Sequence, residues 1–202
     1  MTNPPSGSPA RIWFITHPEV IIDPTKPVPA WSLSPVGIDR MNAFCRRADL
    51  GNITAIWSSA ETKAVEGAAI LAGRLGLRAA IDEQLHENDR SATGFLPPPE
   101  FQLMADRFFA HPHDSVEGWE RAVDAQDRIV AVVDRLAAGH DLGGDLAIVA
   151  HGGVGALLLG ALQHLPISRQ LDQPGSGGGN FFVFGYPDKR IERGWTDIAS
   201  AA

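Results

Sequence analysis

The sequence predicts an α/β protein, a three-layer α/β/α sandwich around a mostly parallel sheet. Three observations predict it. Short apolar runs of strand length alternate with helical stretches. The strand-like runs are continuously apolar, as parallel strands buried on both faces are. With 202 residues, the chain has the length of one compact domain.

Each element has its own signal. Arg11–Thr16 (RIWFIT) is apolar and β-branched and stops at His17-Pro18, where proline cannot continue a central ladder. Glu19–Pro35 holds four prolines and reads as a long loop, a kind that is usually functional. Ser34-Pro35 is a helix start, serine as cap and proline in the first turn, with the helix running to about Arg47. Asn52–Trp57 is a second strand. Ser58 or Ser59 is expected to cap a helix from Ala60 to Leu75, where Gly76 stops it. Arg78–Ile81 is a weak strand, Leu85–Pro99 a polar loop, and Pro99–Phe109 a short helix. Ser115–Ala138 reads as one long amphipathic helix. Asp145–Ala150 (DLAIVA) is the most strand-like segment. His151-Gly152-Gly153 breaks it, and an apolar helix, Val154–Leu165, follows. Gln173–Asn180 reads as a flexible turn, Phe181–Phe184 as a strand and Arg190–Trp195 as an edge strand. The polar start, 1–10, reads as a disordered tail without a signal peptide, and 11–202 as a single domain.

Composition narrows the function. Seventeen Lys and Arg against 24 Asp and Glu give a net charge of −7, a poor match for nucleic acid or an anionic membrane surface. Cys45 is the one cysteine, so no intrachain disulfide forms and a reducing, cytoplasmic setting is expected. No apolar run has the length of a membrane span. A homodimer is left open.

The chemistry-bearing residues sit at strand ends, where open parallel sheets bind ligands. Two strands run into histidine, at His17 and His151. Each alone reads as a hydrogen-bonded structural residue; the repeat, with glycines after His151, points to a shared crevice. A third strand ends at Ser58-Ser59 with Lys63 one turn on, which suits an anion; the plain alternative is a cap and a solvated lysine. Glu87 follows another strand, though a lone loop glutamate is ordinarily surface charge. His111-Pro112-His113-Asp114 is a weak metal clip, since alternate extended residues point apart. Trp31, alone among the tryptophans in the long loop, could line a substrate mouth.

Five segments in order resemble the histidine phosphatase (phosphoglycerate mutase-like) superfamily. They are Thr16-His17-Pro18-Glu19 for its Arg-His-Gly-Glu, Leu33-Ser34-Pro35-Val36-Gly37, Ser58–Ala68, Leu85-His86-Glu87 and Val149–Val154 with its His-Gly-Gly. The resemblance implies a phosphatase acting on a small phosphomonoester through a phosphohistidine, with no metal or organic cofactor. It implies His17 as nucleophile, Glu87 as general acid and then base, and His151 as donor to the phosphoryl oxygens. Thr16, Ser59, Lys63 and Gly152 would bind phosphate. Thr16, Pro18 and Lys63 stand where the family has Arg, Gly and Arg, so two guanidinium forks are missing. Weak turnover is therefore expected, with Lys26, Arg40 or Arg90 as substitute cations. The alternative is a degenerate member that binds a phosphorylated or acidic ligand with little turnover.

Overall fold

The computed structural model describes residues 10–140, 143–175 and 177–200. In chain order the elements are β1 (Ala10–Thr16), α1 (Pro35–Phe44), β2 (Ile53–Ser58), α2 (Thr62–Leu75), β3 (Ala79–Ile81), α3 (Pro98–Ala110), α4 (Ala122–Ala138), β4 (Asp145–Ala150), α5 (Gly152–Leu162), β5 (Asn180–Tyr186) and β6 (Ile191–Asp197). They form one sheet of order β3-β2-β4-β1-β5-β6. β3, β2, β4 and β1 run parallel, and β5 and β6 are antiparallel additions beyond β1.

Strand alternation builds the three layers. Trp13 and Ile15 of β1 face one side, packing with Met41 and Phe44 of α1 and Ala68 and Leu71 of α2. Ile12 and Phe14 face the other, against Val133 and Leu136 of α4 and Val154 and Leu158 of α5. A satellite cluster seats Phe108 and Phe109 of α3 and Trp119 against Leu157 of α5. Adjacent parallel strands β1 and β4 thus send their following helices to opposite faces. A crevice opens beyond their carboxyl ends at such a point. Among the described residues no helix is long and apolar enough to cross a membrane.

The sheet's other end is closed by Asp145, 1% exposed. Its carboxylate accepts from Arg11 Nε at 2.9 Å, Trp13 Nε1 at 3.0 Å and Asn52 Nδ2 at 3.0 Å.

Several expectations need correction. The expected tail lies outside the described residues except Ala10, which opens β1. The long helix begins at Ala122, not Ser115. Residues 116–118 make a short 3-10 turn, and Glu117 (φ 49°) and Gly118 (φ 83°) take left-handed backbone that no α-helix continues. The α2 cap is Glu61, not Ser58 or Ser59; the Ser59 hydroxyl instead accepts the Glu61 N–H at 3.2 Å. Of the turn expected at Gln173–Asn180, residue 176 lies outside the described residues, and Gln173 and Asn180 are both hydrogen-bonded to Thr16. Gly178 sits at φ 68° against the His17 carbonyl, which a Cβ would approach to 2.4 Å. The Ser34 cap holds, accepting the Gly37 N–H at 3.1 Å with Pro35 in the first turn.

Candidate active site

Register delivers the site. Thr16 pairs with Ala150 and Ser58 with Val149 across β1, β4 and β2. The next residues, His17, His151 and Ser59, therefore emerge in a row. Backbone bonds continue one step past the strands, His17 N to Ala150 O at 3.1 Å and Ser59 N to Val149 O at 3.0 Å.

The two imidazoles meet edge to face with centroids 5.3 Å apart. His17 Nδ1 lies 2.9 Å from the Pro18 carbonyl. A carbonyl only accepts, so Nδ1 carries the hydrogen and Nε2 keeps its lone pair. Burial, helped by the neighbouring His151 and Lys63, lowers the His17 pKa to about 3. The ring is neutral at any ordinary pH. This bond uses the Pro18 carbonyl, which proline keeps.

His151 is fully buried, with Nε2 2.8 Å from Ser59 Oγ and 3.4 Å from Glu61 Oε1. Its Nδ1 is a buried atom with no partner. Burial lowers its pKa and outweighs the opposing pull of Glu61 and Glu87.

Lys63 is 3% exposed, and its ammonium donates to Glu61 Oε2 and to the Val28 carbonyl at 2.9 Å. Glu61, which sequence reasoning missed, thus shares the wall with Lys63 and His151. Burial raises its pKa, but His151 and Lys63 prevail and bring it to about 2. The only sequence signal was position: a carboxylate at a helix start, where surface residues are common.

Glu87 comes to the site as a helix cap. Its carboxylate accepts Gly153 N at 3.0 Å and Val154 N at 2.9 Å, at the start of α5, while its own N–H donates to Glu61 Oε1 at 3.0 Å. Burial pushes its pKa up, yet Arg90, His151 and the Gly153 N–H outweigh that and hold it below the usual range.

The Thr16 hydroxyl donates to Gln173 Oε1 at 2.7 Å and accepts the Asn180 N–H at 2.9 Å. Of the three substitute cations, Arg40 is spent on Glu19, Asp197 and the Gly178 and Gly179 carbonyls. Lys26 is exposed and paired with Asp23. Arg90 lies over Phe101 and Trp119, 5.0 and 5.7 Å from their centroids, and makes no hydrogen bond among the described residues. Trp31 packs on Phe95 with the rings tilted at 59° and centroids 5.4 Å apart, joining the long loop to the one beyond Glu87. No group of three or more His, Cys, Asp or Glu among the described residues is placed to hold a metal ion.

A family model, Histidine phosphatase superfamily (branch 1), matches residues 24–179. The chain belongs to that superfamily. The match takes in Lys63, Glu87 and His151 and begins after His17, the segment that departs most from the superfamily pattern. Among solved structures, the mycobacterial glucosyl-3-phosphoglycerate phosphatase with inorganic phosphate is 22% identical, covering 95% of this chain and 98% of its own, TM-score 0.71. Bacillus stearothermophilus YhfR is 20% identical over 96% and 98%, TM-score 0.78. The Entamoeba histolytica phosphoserine phosphatase with 3-phosphoglyceric acid is 17% identical over 95% and 100%, TM-score 0.72. At these identities the likeness is one of fold. No curated protein matches the sequence.

Proposed function

We propose that this histidine phosphatase superfamily member hydrolyses a small phosphomonoester through a phosphohistidine at His17. One observation carries the reading: the 2.9 Å contact from Nδ1 to the Pro18 carbonyl leaves Nε2 as a free lone pair in the crevice. That lone pair attacks phosphorus, the bond to the leaving oxygen breaks, and a phosphoryl-imidazole forms. Water then attacks phosphorus, the P–N bond breaks, and inorganic phosphate leaves with His17 restored. Splitting one displacement into two lowers each barrier.

His151 Nδ1 faces no protein partner, and a phosphoryl oxygen there selects the Nδ1–H tautomer, with Ser59 Oγ–H donating to Nε2. Fixed donors of this kind act where charge develops. Glu87 takes the proton of the attacking water in the second step and gives it to the leaving oxygen of the next substrate. Of the three candidate cations, Arg90 alone makes no ion pair or side-chain hydrogen bond among the described residues; it acts on Glu87 and His151 and suits an anionic part of the substrate.

A second reading is a binding protein with little turnover. Glu61 favours it, because a buried carboxylate beside Lys63 and His151 cancels positive charge where a phosphate needs it. Turnover of p-nitrophenyl phosphate, abolished in His17→Ala, supports the enzyme. Binding of inorganic phosphate without turnover of any aryl or alkyl ester supports the binding protein.

A further inference from the structure

Gln173 lies in a turn that the sequence marks only by its prolines and glycines. Its side-chain oxygen accepts Thr16 Oγ1–H at 2.7 Å and Asn180 Nδ2–H at 3.2 Å. Asn180 settles which end of the amide is oxygen. Its Nδ2 also faces the Pro174 carbonyl at 3.0 Å and the Gly178 carbonyl at 3.3 Å, and carbonyls only accept. Asn180 therefore presents a donor, Gln173 presents its oxygen in return, and the Gln173 NH2 points the other way. That nitrogen lies against Gly152, the residue after His151, where a Cβ would stand 2.0 Å from it. It donates to nothing among the described residues.

We propose that Gln173 is a catalytic residue whose amide NH2 donates to a non-bridging oxygen of the phosphoryl group at His17, with Thr16 as the positioning residue that holds it. The inference rests on the phosphatase reading above and deepens it. Position 16 is where the superfamily pattern places an arginine. Here the chain has exchanged that cation for a small hydroxyl that grips a neutral donor arriving from the far end of the sequence. Three residues bonded to one another preorganise the donor, so no reorganisation is needed as charge develops.

Gln173→Glu is the decisive variant. A carboxylate still accepts from both Thr16 and Asn180, so a purely structural Gln173 would tolerate it. The change removes the NH2 and puts negative charge in its place. Loss of one such donor typically costs about a hundred- to a thousand-fold in turnover. The expected result is an unchanged melting temperature with at least a hundred-fold loss of kcat/KM on p-nitrophenyl phosphate. Unchanged kcat/KM with His17→Ala inactive overturns the inference and leaves the phosphatase reading standing. If the native protein hydrolyses nothing, binding of inorganic phosphate decides: at least tenfold weakening by Gln173→Glu upholds the donor even as the enzyme reading fails. Unchanged binding, or no binding by the native protein, overturns it. Should Gln173→Glu melt early, Thr16→Val replaces it as the test. A tenfold loss of kcat that Thr16→Ser restores upholds the inference, and native activity in Thr16→Val overturns it.

Discussion

At one end of the sheet, Asp145 is a buried carboxylate surrounded by donors from Arg11, Trp13 and Asn52. At the other end, three buried atoms have no partner among the described residues: Glu19 Oε2, Asn88 Nδ2 and His151 Nδ1. All three belong to segments that leave strands β1, β3 and β4 at their carboxyl ends. A buried polar atom without a partner costs about 1–3 kcal/mol, so a fold tolerates several together where a ligand supplies the missing bonds. Satisfaction marks the end of the sheet that holds the structure together, and deficit marks the end proposed to bind.

The largest effect should come from breaking the satisfied end. Asp145→Ala orphans the buried Trp13 N–H and strips Arg11 of its partner. Loss of one member of a buried pair costs about 3–5 kcal/mol, and the partial exposure of Arg11 places this case near 3. Denaturant unfolding should show that loss, with phosphate affinity unchanged once folding is accounted for. A loss of affinity equal to the loss of stability would mean the two ends are not separate.

The next test is at Glu87. Glu87→Gln can offer only one oxygen to the two N–H groups at the start of α5. A lost charged cap costs roughly 1–2 kcal/mol. Turnover should fall through slower hydrolysis of the phosphohistidine, so phosphoenzyme should accumulate. In Glu87→Gln, turnover of alkyl phosphates should fall further than that of aryl phosphates, whose leaving groups need no proton. Equal losses on both esters would mean that Glu87 does not protonate the leaving oxygen.

A smaller change should sharpen the reading of the binding end. Glu61→Gln keeps an acceptor for the Glu87 N–H and removes the charge that offsets Lys63. Affinity for inorganic phosphate, followed by calorimetry, should rise about tenfold, or 1.4 kcal/mol. No gain would show that Lys63 and Glu61 do not face the ligand together.

The pH dependence of stability follows from His17. Its folded pKa of about 3 lies below the unfolded value of 6.5. Between these values the unfolded chain binds the extra proton, so stability falls as pH drops from 6.5 towards 3 and is indifferent to His17 above 6.5. His17→Asn should flatten that acid slope. Identical slopes in both proteins would mean His17 is not held neutral.

The sequence showed the parts of this molecule that depend on local pattern. Alternating apolar runs placed the sheet, and the strand-terminal positions of His17 and His151 placed the crevice, because parallel register carries strand ends to one edge. Glu61 and Gln173 were not legible. A glutamate at a helix start reads as surface charge until burial is known. Gln173 is 157 residues from Thr16, and only the antiparallel β1–β5 pairing brings them together. The helix expected from Ser115 failed for a related reason: Val116 and Trp119 keep helical spacing, but Trp119 is held by Thr93 Oγ1 at 2.8 Å and by packing on Phe108 across left-handed backbone at Gly118.

The central claim is that the His17 lone pair attacks phosphorus, and rapid quenching during turnover of a 32P-labelled phosphomonoester tests it most directly. The account predicts acid-labile, base-stable label on the peptide that contains His17, absent from His17→Ala. Turnover with no such label, or label on another residue, would contradict it.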